Sequence, residues 1–211
     1  MEPLQPRNIH PDRQAVLNWI ILIGVEGSGH HMVMDLLEAQ DCFCQKILAR
    51  RWAGAPHDSD MHECSLHGGG LLTLSFPYDN PRNALRRPDF PELARLPGDI
   101  KYLLLERNPV DCVMSALCRG FATNWYEQCR IVEDNLIYIE KYSKLMPMAH
   151  TFTVMYEWFI EQPKKACERL SQFLEMPTVA ERHPKIMRRP HTPDLETRRK
   201  VAKFFQERGM K

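Results

Sequence analysis

The most constraining feature of the sequence is an apolar segment that runs directly into a glycine-rich loop and then into an amphipathic segment. Residues 19–24 read WIILIG, the loop continues as VEGSGHH, and MVMDLLEAQ follows with helical spacing of its apolar residues. A continuous apolar run is typical of a parallel strand that is covered on both faces. The glycines allow a sharp turn after that strand. This order predicts a buried strand, a tight loop over 24–31 and a helix over 31–40.

The rest of the chain repeats the alternation of strand and helix. Further apolar runs suited to buried strands lie at 71–76, 101–105 and 151–155. Helical spacing of apolar residues is found at 109–119, 127–145, 163–174 and 194–207. Such alternation predicts an α/β fold with a central, doubly wound parallel sheet.

The predicted organisation is a single domain over 1–211. It includes an N-terminal extension at 1–17 and a C-terminal helical segment at 178–211. The stretches at 53–70 and 77–99 are rich in Pro, Gly, His and Asp and are predicted to be long surface loops. Loops of this length often form lids or binding segments.

Composition excludes several classes of protein. The formal net charge is only +1, so nothing indicates a nucleic-acid partner, and no run approaches the ~18 apolar residues of a membrane span. The seven cysteines include no C-x-x-C pair, which argues against a zinc ribbon or a disulfide framework. We expect no metal site, reduced thiols and a cytoplasmic location, although a soluble fragment of a secretory-pathway enzyme would have the same composition. The sequence carries no indication of oligomeric state.

The glycine-rich loop has the features of an anion site. Its N–H groups from Gly27 to His31 would lie at a helix N-terminus, where the dipole and unpaired donors favour a negative charge. Gly24 and Gly29 have the spacing of the loop G-x-x-x-x-G-K-[ST] of nucleoside triphosphatases, but His30 and His31 replace the Lys and the Ser or Thr. The lost Ser or Thr ordinarily holds Mg²⁺, which argues against a small-molecule kinase. The two histidines either take part in the chemistry of the site or are simple capping and solvent-facing residues.

Two further stretches place polar side chains at the ends of predicted strands. RNPVDCVMS at 107–115 puts Arg107 at the end of one strand, Pro109 at a favoured helix start and Ser115 two turns later. Arg107 and Ser115 could therefore reach one phosphate. Tyr156 and Glu157 end the last predicted strand, at the edge where open α/β sheets bind ligands. Taken singly, an arginine at a strand end such as Arg107 is more often a surface or interface residue, and Tyr156 is as often a half-buried aromatic.

Together the three stretches resemble the sulfotransferase superfamily, whose members transfer a sulfuryl group from 3′-phosphoadenosine 5′-phosphosulfate (PAPS). EGSGHH at 26–31 occupies the position of the family loop P-[KR]-S-G-T-[ST]. RNPVDCVMS at 107–115 fits R-[ND]-P-x-D-x-x-x-S at every fixed position. YEWF at 156–159, Pro163 and LSQFL at 170–174 resemble the third motif, Y-E-D-L, then Pro, then L-x-x-F-L. The motifs keep their order over residues 19–176.

The resemblance implies a P-loop-like three-layer α/β fold and a PAPS-dependent transfer to a hydroxyl or amine of a small-molecule or glycan acceptor. It implies that the 3′-phosphate is held by Arg107 and Ser115 and that Tyr156 contacts the nucleotide. The residues that would hold the 5′-phosphosulfate are Gly27, Ser28, Gly29, His30 and His31. A small-molecule kinase and a non-catalytic nucleotide-binding relative remain the alternatives.

The chain departs from the family pattern at three points. The loop Lys or Arg of the family aligns with Gly27, so the replacement cation is either His30 or His31, or an arginine from elsewhere. Ser75 stands where one branch of the family has its catalytic His. The candidates for the general base are therefore Glu26, Asp79, His62 and His67. A C-terminal R-K-G segment is also missing, and Arg188 and Arg189 are its candidate substitutes.

Overall fold

The computed structural model describes residues 18–25, 27–37, 69–76, 98–176 and 194–210. Its strands are β1 (Asn18–Val25), β2 (Gly69–Phe76), β3 (Asp99–Glu106) and β4 (Thr151–Met155). Its helices are α1 (His30–Leu37), α2 (Pro109–Cys118), α3 (Trp125–Ser143), α4 (Tyr156–Glu161), α5 (Pro163–Leu174) and α6 (Leu195–Gln206). A short 3-10 turn, Met148–His150, precedes β4.

The four described strands form a parallel sheet in the order β2-β1-β3-β4. Each of them matches a predicted strand to within two residues at either end. Because β2 begins at Gly69 and β3 at Asp99, these residues belong to strands and not to the predicted loops. Apart from Gly98, the rest of those two loops, the extension at 1–17 and the segment at 178–193 lie outside the described residues.

Alternate residues of β1 pack against different helices on the two faces of the sheet. Ile20 and Leu22 belong to an apolar cluster with residues of α1 and α5. Trp19, Ile21 and Ile23 belong to a second cluster that packs against α3. Burial on both faces explains why the strand reads as an uninterrupted apolar run. The predicted three-layer α/β arrangement with a central parallel sheet is confirmed.

The C-terminal helix α6 packs against α2. Val201, Phe204 and Phe205 are buried in a third apolar cluster, to which α2 contributes Val113 among others. An ion pair reinforces this contact, with Arg198 Nη1 2.7 Å from Asp111 Oδ1. Asp111 of the RNPVD stretch therefore helps to hold α6 against α2.

One prediction about β4 is wrong. Tyr156 and Glu157 were expected to end this strand, but β4 ends at Met155 and Tyr156 opens α4. A helix of six residues makes fewer than two turns, which is too short for a helical spacing of apolar residues to be visible in the sequence.

The topology places two loops side by side. The chain leaves β1 through α1 to reach β2 on one side, whereas β3 pairs with the other side of β1. The carboxyl ends of β1 and β3 therefore flank the point at which the strand order reverses, which is where open α/β sheets bind ligands. The glycine-rich loop follows β1 there, and Arg107 follows β3.

Candidate functional site

The loop after β1 depends on two glycines in backbone conformations that other residues rarely adopt. Gly27 has φ of 85° and Gly29 has φ of 113°. The N–H of Ser28 donates to the Val25 carbonyl (3.0 Å), and the N–H of Met32 donates to the Gly29 carbonyl (3.0 Å). The chain thus turns tightly and enters α1 at once, so the first turn of the helix faces the end of the sheet.

Arg107 reaches this loop from the end of β3. Its Nη1 donates a 2.6 Å hydrogen bond to the Gly27 carbonyl. Its guanidinium lies over the ring of Tyr156, with Cζ 4.2 Å from the ring centroid, which is a cation–π arrangement. Its Nε is buried and has no hydrogen-bond partner among the described residues. The first two sequence motifs are thus joined directly by a hydrogen bond.

Tyr156 contacts the loop as well as the arginine. A Cβ atom built at Gly29 would lie 2.7 Å from Cδ2 of Tyr156 and 3.3 Å from Cε2. Only a glycine allows the ring to approach this closely. The ring therefore touches both the loop and the guanidinium, and the third motif joins the first two.

Ser115 lies directly beneath the loop. A Cβ atom at Gly27 would be 3.2 Å from Ser115 Cβ and 3.3 Å from the Cys112 carbonyl oxygen. Ser115 is 0% exposed and Ser28 is 1% exposed. Neither hydroxyl has a hydrogen-bond partner among the described residues.

Three buried polar atoms therefore surround one loop without partners in the described part of the chain: the two hydroxyls and Arg107 Nε. A buried polar group left unsatisfied costs about 1–3 kcal/mol, so native proteins rarely keep several together. Two hydroxyls, a guanidinium and a helix N-terminus make a set of donors suited to phosphate or sulfate oxygens. The arrangement fits an anionic group such as the phosphosulfate of PAPS.

The two histidines lie in different environments. His30 is buried, and its Nε2 is 3.0 Å from the Leu74 carbonyl oxygen in β2. Since a carbonyl only accepts, this contact requires a hydrogen on Nε2. His31 is exposed on α1. His30 thus lies near the carboxyl end of β2, next to Leu74, the residue before Ser75.

A carboxylate that the sequence reasoning did not single out fixes the backbone after Arg107. Glu157 Oε1 accepts a 2.9 Å hydrogen bond from the N–H of Asn108, and Asn108 Oδ1 in turn caps α2 by accepting from the N–H of Val110. The sequence signal was the acid beside Tyr156 in the third motif. Loss of hydration raises the pKa of the nearby Glu106 carboxyl, and the charge of Glu157 raises that pKa further.

The structure brings most of the predicted site residues together around the loop, namely Gly27, Ser28, Gly29, His30, Arg107, Ser115 and Tyr156. His31 follows on the exposed side of α1. The remaining candidates lie outside the described residues, namely Glu26, His62, His67, Asp79, Arg188 and Arg189.

Within the described ranges, no group of three or more His, Cys, Asp or Glu side chains is arranged to hold a metal ion. None of the helices in this part of the chain has the length and apolar character that crossing a membrane requires.

Comparison with known proteins gives matches among solved structures. No protein-family model matches the chain, and no curated protein sequence does. A sulfotransferase from Alicyclobacillus acidocaldarius superposes with a TM-score of 0.55 at 16% identity, covering 89% of this chain and 91% of the other. The sulfotransferase STF9 from Mycobacterium avium gives a TM-score of 0.52 at 10% identity, over 93% of this chain and 78% of the other.

Mouse sulfotransferase SULT7A1, solved in complex with PAP, gives a TM-score of 0.51 at 13% identity, covering 90% of this chain and 82% of the other. Identities this low establish the fold and not the activity. The likeness nevertheless agrees with the resemblance of the three motifs that meet at the loop. The chain has the fold of the sulfotransferase superfamily.

Proposed function

We propose that the protein is a sulfotransferase that moves a sulfuryl group from PAPS to a hydroxyl or amine acceptor. The observation that carries this proposal is the meeting of three separate motifs at one loop, where two buried hydroxyls and Arg107 Nε have no hydrogen-bond partner among the described residues. The sulfotransferase fold and the PAP complex of one structural neighbour add support.

The donor would lie across the carboxyl ends of β1 and β3. The loop from Gly27 to His31 would hold the 5′-phosphosulfate through backbone N–H groups and the Ser28 hydroxyl. Arg107 and Ser115 would hold the 3′-phosphate, the group that distinguishes PAPS from the ATP family. Tyr156 would complete this site by keeping Arg107 in place.

The reaction would be an in-line displacement at sulfur. A lone pair of the acceptor oxygen or nitrogen forms the new bond to sulfur, and the bond between sulfur and the bridging phosphate oxygen breaks. That oxygen keeps the electron pair as adenosine 3′,5′-bisphosphate (PAP) leaves. The acceptor proton passes to a general base.

His30 is our candidate for a catalytic imidazole in this sulfuryl transfer. The hydrogen bond to Leu74 holds its ring at the carboxyl end of β2 and fixes one tautomer in the neutral state. Glu26 and His67 remain candidates for the base on the strength of the sequence, and His31 remains a candidate for a cationic contact with the donor.

The acceptor is proposed to be a small molecule or a glycan that enters over the loops at 53–70 and 77–99. The proposed compartment is the cytoplasm, a reducing environment with which the free thiols of Cys112, Cys118, Cys129 and Cys167 are compatible.

The deciding experiment compares donor classes by calorimetry in the presence of EDTA. We expect PAP to bind more tightly than ADP or ATP, and PAPS to be consumed in EDTA when a suitable acceptor is present. Magnesium-dependent binding and consumption of ATP would instead identify a small-molecule kinase. Tight PAP binding with no PAPS turnover across a broad panel of acceptors would identify a non-catalytic relative.

A further inference from the structure

We propose that Arg107 also supplies the positive charge at the phosphosulfate end of the donor, beside the glycine-rich loop. This inference rests on the proposed function and concerns how the loop acts without the Lys or Arg that the family has at the position of Gly27. The resemblance alone assigns Arg107 to the 3′-phosphate at the other end of the nucleotide.

The first support is the contact between Arg107 and the loop. Nη1 lies 2.6 Å from the Gly27 carbonyl oxygen. A guanidinium has five N–H donors in a planar fork, so one bond to a carbonyl leaves the others for a ligand. Nε is one of these, since it is buried and has no partner among the described residues.

The second support is the ring that holds the guanidinium. Tyr156 lies 4.2 Å from Arg107 Cζ and also packs against Gly29. Arg107 therefore touches one glycine of the loop and shares an aromatic neighbour with the other. Its charge is located at the turn that would carry the 5′-phosphosulfate.

The third support is the charge requirement of the reaction. As the bond between sulfur and the bridging oxygen breaks, negative charge grows on the phosphate oxygen that keeps the electron pair. Fixed cations next to such an oxygen contribute strongly, because they need no reorganisation during the reaction. The residues Gly27, Ser28 and Gly29 bring no charge, and the Nε2 hydrogen of His30 is directed at Leu74. Arginine stays protonated at any physiological pH, so it would supply a permanent charge.

The test measures binding at the 5′ end and at the 3′ end of the nucleotide separately. Binding of adenosine 5′-monophosphate, adenosine 3′-monophosphate and PAP is measured by calorimetry with the wild-type chain and with Arg107→Gln and Arg107→Lys. Gln keeps hydrogen-bond donors without charge, whereas Lys keeps the charge without the fork. The matched control is Arg169→Ala, because Arg169 also lies over an aromatic ring, that of Trp158, but belongs to α5.

We expect Arg107→Gln to weaken 5′-monophosphate binding about tenfold or more, Arg107→Lys to weaken it less, and Arg169→Ala to leave it unchanged. Unchanged 5′-monophosphate affinity in Arg107→Gln, with a loss for the 3′-monophosphate, would overturn the inference and leave the proposed function intact. Failure of the wild-type chain to bind PAP would overturn the proposed function itself. Circular dichroism of each variant verifies folding, and if the Gln variant is unfolded, Arg107→Lys takes its place: a loss of affinity for the 3′-monophosphate alone then overturns the inference.

Discussion

Gly29 and Tyr156 are in contact so close that no side chain fits between them: a Cβ atom at position 29 would lie 2.7 Å from Cδ2 of the ring. The two residues belong to different sequence motifs and are far apart along the chain. Their contact, together with the hydrogen bond from Arg107 to the Gly27 carbonyl, holds the glycine-rich loop and the Arg107 side chain in one arrangement.

Gly29→Ala is expected to destabilise the fold and to weaken PAP binding. The new methyl group would overlap the ring, which costs about 1–3 kcal/mol, and the positive φ adds strain. Gly120→Ala is the matched control, because Gly120 also has a positive φ of 71° but a Cβ there meets nothing within 4 Å. Urea denaturation should show a larger loss for Gly29→Ala than for Gly120→Ala. Equal losses would mean that the ring moves aside freely.

Tyr156→Phe is expected to bind PAP with nearly wild-type affinity, whereas Tyr156→Leu should lose about tenfold. The reason is that the ring, and not the hydroxyl, makes the contacts with Arg107 and Gly29, and a cation–π contact is worth about 0.5–2 kcal/mol. Calorimetry with both variants provides the measurement. A Phe variant as weak as the Leu variant would show instead that the hydroxyl touches the nucleotide.

Ser115→Ala is expected to weaken PAP binding without lowering the stability of the fold. Its buried hydroxyl has no partner among the described residues, so its removal should leave the free energy of unfolding unchanged or slightly higher. PAP affinity should fall about tenfold, as for a lost hydrogen bond to a charged group.

The matched control for this prediction is Ser171→Ala. The buried Ser171 hydroxyl donates a 2.8 Å hydrogen bond to the Met176 carbonyl. Its loss should lower stability by about 1 kcal/mol and leave PAP binding unchanged. Loss of stability without loss of affinity in Ser115→Ala would remove Ser115 from the donor site.

His30→Ala is expected to lower turnover more than donor affinity. The imidazole is buried and held against the Leu74 carbonyl, so its removal also takes away a structural hydrogen bond of about 1 kcal/mol. His31→Ala provides the comparison, because His31 is the exposed neighbour on the same turn. Steady-state kinetics with PAPS give the answer once an acceptor is found. A wild-type turnover number in His30→Ala would exclude this residue from catalysis.

Glu106→Gln is expected to stabilise the protein more at neutral pH than at acidic pH. Partial loss of hydration and the neighbouring Glu157 carboxylate raise the folded-state pKa of Glu106 above its ordinary value of 4.5. The folded state therefore binds its proton more tightly than the unfolded state, and this contribution to stability is lost as pH rises through the raised pKa. Urea titrations at several pH values measure the difference between variant and wild type. A stability difference between variant and wild type that does not change with pH would contradict the raised pKa of Glu106.

The positions of the strands and the meeting of the three motifs could be predicted from the sequence. Buried parallel strands such as β1 read as apolar runs, and the carboxyl ends of neighbouring parallel strands lie on one edge of the sheet. Arg107 and the glycine-rich loop therefore had to be close once β1 and β3 were recognised as strands. The alternation of strand and helix also predicted the three layers, because the helices between parallel strands pack on the faces of the sheet.

The details of side-chain environment could not be predicted. Adjacent residues of a helix point about 100° apart, so the start of α1 decides which of His30 and His31 is buried. A shift of one residue would exchange them, and helix boundaries are not fixed to that accuracy by sequence patterns. The hydrogen bond from Arg107 to the Gly27 carbonyl uses a backbone acceptor that every residue possesses, so the residue types in the sequence do not predict it.

The position of β1 in the middle of the sheet has a consequence for biosynthesis. This strand is the first of the four to leave the ribosome, yet its partners β2 and β3 lie much later in the chain. Until β3 has been synthesised, a strongly apolar segment has one unpaired edge, which is the condition that recruits chaperones or leads to aggregation. Sheets built from such distant pairings also fold slowly. The yield of active protein should therefore depend more on chaperone supply and growth temperature than the modest size of the chain suggests.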